Sequence, residues 1–208
     1  MQLMSSSFGH RQRMPEEFAF CAPDPATHVR MSRNRNPHLR WTGVPSTAKS
    51  LVLVCVDTDV PTRPDDVNQE GRVVPASLPR TDFYHWLMVD IPPTVSAIRA
   101  GQCSDGIVAR GKTARAGPAG SRPGVIDYTL WFAGDTEMGG RYLGYDGPCP
   151  PWNDELLHHY HFILFATDLA RCPVEGAFTG QQVRAAIDGH VLAEARLTGV
   201  YSLNPSVR

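Results

Sequence analysis

Long apolar runs are absent from this 208-residue chain. The purest, Leu51 to Val56, is far short of the roughly 20 residues a membrane-spanning helix requires, so we expect no span. An excess of either charge is also absent. Lys and Arg number 20 against 21 Asp and Glu, net −1, which gives no global drive toward nucleic acid or an acidic membrane. No two of the five cysteines (Cys21, Cys55, Cys103, Cys149 and Cys172) have CxxC spacing, and their number is odd. Free thiols in a reducing compartment follow better than a disulfide framework. The first residues, MQLMSSSFGHRQRMPEEF, lack the apolar core of a secretory signal. These absences predict a cytoplasmic protein. There is no self-similarity at a repeat period and no GxSxG elbow of a serine hydrolase.

What the chain does have is glycine and proline, 18 of each. The prolines stand between apolar runs, which makes them turns of a mostly β protein. Residues 1–15 are polar and mildly basic and are expected as a loosely ordered tail, with 16–208 as a single domain. Strands are predicted around Leu39 and Trp41, over Lys49 to Asp59, over Phe83 to Ile91 and over His158 to Thr167, with a shorter one in Val125 to Phe132. The unbroken aliphatic run of the second suggests burial on both faces. Alternation in the third puts Phe83, His85, Leu87 and Val89 on one face and Tyr84, Trp86 and Met88 on the other. Residues 62–80, with three prolines, are a surface excursion or a lid. Residues 101–124 read as a mobile loop carrying Arg110, Lys112, Arg115 and Arg122, and no nucleotide-phosphate loop is read there. Thr179 and Gln182 fit a capping box ahead of a short helix, followed by a further helical turn over His190 to Arg196 and a closing strand, Leu197 to Leu203.

Chemistry concentrates in three places. Asp57 and Asp59 leave the most buried strand two residues apart, on one face, either as turn caps or as site carboxylates. His85 stands among large apolar side chains. The stretch GYDGPCPPWNDELLHHYHF (144–162) sets a stiff proline loop ahead of a histidine-rich strand. Alternation sends His158 and Tyr160 to one face and His159 and His161 to the other, which argues against a converging metal set. No metal or other cofactor is expected. Pro148, Pro150 and Pro151 have no N–H, so an anion held here would depend on side-chain donors: His85, His158 and the Tyr160 hydroxyl. One of these prolines is a candidate for a cis bond. Asp57 then fits as the acceptor that orients a histidine.

The segments NPHLRWTGVP (36–45), the Asp57-x-Asp59-x-Pro61 run, FYHW (83–86), GYDGPCPP, HHY (158–160) and GHVLAEARLTGVY (189–201) together resemble the phosphatidylethanolamine-binding protein family, which includes the Raf kinase inhibitor proteins, and most of all its bacterial branch. The resemblance implies a β-rich fold with a large central sheet, a smaller sheet and a few short peripheral helices. It implies a small cavity for phosphate, a phospholipid headgroup or a similar anion. That pocket would use Asp57, His85, Cys149, Pro150, His158 and Tyr160, with Asp59 and Gly147 alongside. His159 stands where the family usually has arginine. The expected function is non-catalytic binding of a small anion or phosphorylated ligand, with a kinase or protease as the family's kind of protein target. A hydrolase using Cys149 and His158, or the Asp/His cluster, is the alternative. A homodimer is compatible with the aromatic strands.

Overall fold

The computed structural model describes residues 1–113 and 117–207. In chain order its elements are β1 (Gln2–Met4), β2 (Gln12–Arg13), a 3-10 turn (Glu16–Phe18), β3 (Cys21–Asp24), β4 (His28–Met31), β5 (Leu39–Thr42), β6 (Ser50–Pro61), β7 (Arg80–Ile91), β8 (Ala97–Ile98), β9 (Arg122–Pro123), α1 (Tyr128–Trp131), β10 (His158–Thr167), α2 (Gly180–Ala186) and β11 (Val191–Tyr201). The large sheet runs β2-β11-β10-β6-β7-β9. A smaller sheet runs β1-β5-β8, and β3 pairs with β4. The fold is mostly β, as expected.

β6 lies between β10 and β7, and every residue from Ser50 to Asp57 is buried. Its aliphatic run has no polar side to present, so both faces must be covered. Each such side chain stabilises the fold by about 1.5–3 kcal/mol relative to exposure. Asp57 is the last fully buried residue of the strand, and it faces Tyr160 across the β10 ladder.

β7 departs from strict alternation at the position that matters. Cys55 pairs with Trp86 and Val56 with Tyr84, so His85 is an extra residue in the ladder. The His85 ring faces Tyr160, whereas Trp86 contacts Tyr145, which stacks on Phe162. Tyr160 and Phe162 share a face of β10. His85 and Trp86 therefore turn to the same side, and the predicted faces of Trp86, Leu87 and Met88 are inverted, up to a further shift after Met88. A bulge of this kind re-aims one side chain without ending the strand. A second shift lies between Asp57 and Val60, where Thr58 and Asp59 oppose Asp82 alone.

Several expectations are corrected. Residues 1–15 are not a loose tail: β1 pairs with β5, β2 pairs in parallel with β11, and Met14 is buried. Val125 to Phe132 is not a strand but leads into the single helical turn of α1. There Tyr128 and Phe132, four apart, stack on each other and both reach Phe20. His190 to Arg196 is not helical, because β11 starts at Val191 and pairs along the whole of β10. The capping box of α2 is present. Cys21 and Cys149 are not free thiols but a disulfide, with Cα atoms 4.8 Å apart. The thiol ground for a reducing compartment is gone with them. No cis peptide bond occurs among the described residues.

Residues 101–124 do not form a solvated basic cluster. Arg122 pairs with Asp90, and Lys112 is buried on Asp146, Ser104 Oγ and the Tyr145 carbonyl. Arg115 lies outside the described residues. The segment Gly106 to Thr113, GIVARGKT, does carry the spacing of a phosphate-binding loop. Its lysine is nevertheless committed to this ion pair and not to an open loop. Among the described residues no helix is long and apolar enough to cross a membrane.

Candidate functional site

A cavity of about 430 Å³ opens at the end of the large sheet where β6, β7 and β10 meet the 148–151 loop, β3, α1 and the 62–80 segment. Of the eight residues named from the sequence, it brings together Asp57, His85, Cys149, Pro150, His158 and Tyr160. Asp59 is not in it. The bulge carries its carboxylate outward to the backbone N–H and ring Nδ1 of His159, at 2.8 and 2.9 Å. Gly147 stands just behind the wall. Its carbonyl accepts from the Tyr128 hydroxyl, and its N–H donates to Asn34 Oδ1. A Cβ at Gly147 would lie 2.1 Å from the Phe18 carbonyl oxygen. Gly147→Ala should therefore destabilise the fold by about 1–3 kcal/mol, read as a lower urea midpoint.

The charges at the floor form a chain. His158 Nδ1 donates to Asp57 Oδ2 at 2.7 Å, and its Nε2 donates to Asp154 Oδ2 at 3.1 Å. Arg80 holds the same Asp154 carboxylate through both terminal nitrogens. Two carboxylate partners require both ring nitrogens to carry hydrogen, so His158 is an imidazolium. Burial opposes that charge, but Asp57 and Asp154 outweigh it and raise the pKa to about 9. Burial likewise works against Asp57, yet the charge of His158 brings its pKa below the usual carboxylate value. Two acids and two cations cancel. His158, expected as an anion donor, has no N–H left to give.

His85 behaves differently. Its Nδ1 lies 2.8 Å from the Asp146 carbonyl, which can only accept, so Nδ1 carries the hydrogen and Nε2 is left for the cavity. Burial lowers its pKa below 6.5, against an opposing pull from Asp57. The ring is neutral at pH 7 and offers a lone pair. The loop carrying this carbonyl is pinned from behind by Asn34 and Lys112, which donate to Asp146 Oδ1 at 2.5 and 2.6 Å. Beside His85, ring centroids 5.1 Å apart, is Tyr160. Its buried hydroxyl has no hydrogen-bond partner of normal geometry among the described residues, although burial and then the neighbouring Asp57 carboxylate raise its pKa well above the usual tyrosine value.

The walls are aromatic and apolar. Phe20 stacks on Tyr128 at 4.8 Å, and Phe83 meets Tyr128 edge-on at 5.3 Å. Pro64, Val67 and Asn68 of the 62–80 segment close one side. That segment is gathered around Asn153, whose side chain donates to the carbonyls of Asp66 and Arg72 and accepts from Asn68 N–H. Sequence reasoning missed Phe20, Tyr128, Asp154 and Arg80. The four-residue spacing of Tyr128 and Phe132 was a helical signal that the strand reading overrode.

The mostly β fold thus ends in a sheet-edge cavity with aromatic walls and a charge-balanced Asp/His floor. The chain belongs to the phosphatidylethanolamine-binding protein family, whose profile matches residues 4–202. It is 31% identical over 201 residues to a UPF0098 protein of Methanothermobacter thermautotrophicus, covering 97% of this chain and 98% of the relative. It is 28% identical over 170 residues to the UPF0098 protein YbcL of Escherichia coli, covering 82% and 73% respectively. The crystal structure of E. coli YbcL, described as a new member of the mammalian PEBP family, shares the fold at a TM-score of 0.68 and 23% identity, with 97% of each chain covered. A Chlamydia trachomatis homologue superposes at 0.59 with 26% identity, covering 97% of this chain and 96% of the other.

Proposed function

We propose that this protein binds, without chemical conversion, a small molecule with a proton-bearing anionic head and an aromatic or apolar body. The observation that carries this reading is the pairing of an acceptor, His85 Nε2, with a donor, the Tyr160 hydroxyl, at the floor of an aromatic cavity. With its charges balanced, the floor has no spare cation for a fully ionised phosphate. A monoprotonated phosphate ester, however, can donate to Nε2 and accept from the tyrosine, while its body lies against Phe20, Phe83 and Tyr128. The cavity exceeds what a bare phosphate fills, and aromatic contacts add about 0.5–1.5 kcal/mol each beyond buried area. A phosphotyrosine side chain has this head and body, and is the form in which a regulated protein target would present them. Against a hydrolase that uses Cys149 and His158 stands the Cys149 sulfur, which is bonded to Cys21 and has no thiol to offer as nucleophile.

Phenyl phosphate is the minimal probe. The site needs one proton, on the ligand or on His85. Affinity is therefore greatest at acid pH and falls as pH rises, approaching about tenfold per pH unit once both are deprotonated. His158 stays charged across that range and contributes no slope. Calorimetric titration from about pH 5.5 to about 8.5 spans the ordinary histidine and phosphate-ester pKa values. It should show this decline, and tighter binding of phenyl phosphate than of inorganic phosphate. A flat profile would sink the proton-bearing head.

A further inference from the structure

Cys21 and Cys149 both line the cavity, and their bond joins segments 128 residues apart. Cys21 opens β3 and is 3% exposed, whereas Cys149, between Pro148 and Pro150, is partly exposed. Cys149 is thus the more accessible residue of the pair. The segments around this bond are also held by hydrogen bonds. Phe20 and Cys21 N–H both donate to the Pro148 carbonyl, Tyr145 hydroxyl to Phe18, Tyr201 hydroxyl to Cys21, Tyr128 hydroxyl to Gly147, and Gly147 N–H to Asn34. None of these six bonds involves Cys149 or Pro150. The disulfide is thus a local clamp on one wall of the cavity.

We propose that Cys21–Cys149 is a thiol-exchange site at which a low-molecular-weight thiolate releases the cavity wall and weakens ligand binding; this rests on the ligand-binding reading above. The thiolate attacks Cys149 Sγ, forming a mixed disulfide and breaking the bond to Cys21, which leaves as thiolate and is protonated by water. A second thiolate attacks the small-molecule sulfur of that mixed disulfide. It departs as the symmetrical small disulfide and leaves Cys149 as thiolate. Two electrons pass from two small thiols to the protein. With the bond broken, Cys149 and Pro150 are held to β3 only through the neighbouring Pro148 carbonyl, and the ligand bears the cost of ordering that part of the wall.

The test uses the full chain. Treatment with 2-mercaptoethanol under native conditions, then iodoacetamide and mass mapping, should label the partly exposed Cys149 and spare the buried Cys55, Cys103 and Cys172, with Cys21 labelled only as the wall opens. Hydrogen exchange should rise over residues 146–153 and stay unchanged in β6 and β10. Phenyl phosphate affinity should fall about tenfold, the loss of one pre-organised loop. The double variant Cys21→Ser with Cys149→Ser should match the reduced protein. A bond that resists thiol until the chain unfolds, exchange that rises throughout the sheet, or unchanged affinity after full labelling would each overturn the proposal. If the oxidised protein fails to bind phenyl phosphate at all, the ligand reading falls, and the local exchange over 146–153 alone decides the thiol site.

Discussion

His85→Ala should weaken phenyl phosphate binding by roughly 10- to 100-fold, the range for losing a hydrogen bond to a charged group. His161→Ala should leave it within about twofold, as expected for a substitution that removes no ligand contact. The contrast follows from position. His85 is thrown onto the cavity side by the β7 bulge, with Nδ1 fixed by the Asp146 carbonyl and Nε2 open to a ligand. His161 faces the other side of β10, where its nitrogens meet Thr198 and Thr58 hydroxyls. Titration calorimetry on both variants reads the difference, with thermal unfolding confirming that each is folded. Equal losses in the two variants would remove His85 from the site.

Asp57→Ala should cost about 3–5 kcal/mol, because it strips one partner from a buried imidazolium. In a chain of this size that lowers the melting temperature by roughly 10 °C. The pH dependence of wild-type stability carries the same signature. His158 rises from 6.5 unfolded to about 9 folded. Its contribution is complete below 6.5, declines as pH rises through that window, and is lost above about 9. In the Asp57 variant this alkaline decline should shrink. Urea unfolding of both proteins between about pH 6 and about 10 brackets the two values. A variant within about 0.5 kcal/mol of wild type, no more than an ordinary surface substitution costs, would contradict a charged His158.

The strands that build the cavity were legible because β6, β7 and β10 carry uninterrupted β-branched and aromatic runs bounded by proline or aspartate. The capping box was legible because Thr179 and Gln182 form it locally. The faces within β7 were not. A bulge adds one residue to a ladder through pairing with β6, and nothing in FYHW itself marks which residue is extra. That same bulge puts His85 and Trp86 on one side. The second shift, beyond Asp57, sends Asp59 outward to His159 and breaks the predicted pair of carboxylates.

The role of His158 was half legible. A histidine near Asp57 followed from the family's motifs. Its second carboxylate, Asp154, comes from a loop whose path depends on Asn153 and the 62–80 segment. With that second partner His158 changes from a ligand donor into part of a closed ion network. Cys21 and Cys149 show the same limit. Odd cysteine number and spacing say nothing about two segments that meet only through the fold.

The most direct measurement is a crystal structure of the full chain soaked with phenyl phosphate at about pH 6, near the phosphate ester's second pKa. The phosphate should lie between His85 Nε2 and the Tyr160 hydroxyl, with its ring against Phe20, Phe83 and Tyr128. A phosphate bound instead to surface arginines, with the cavity floor untouched, would contradict the account.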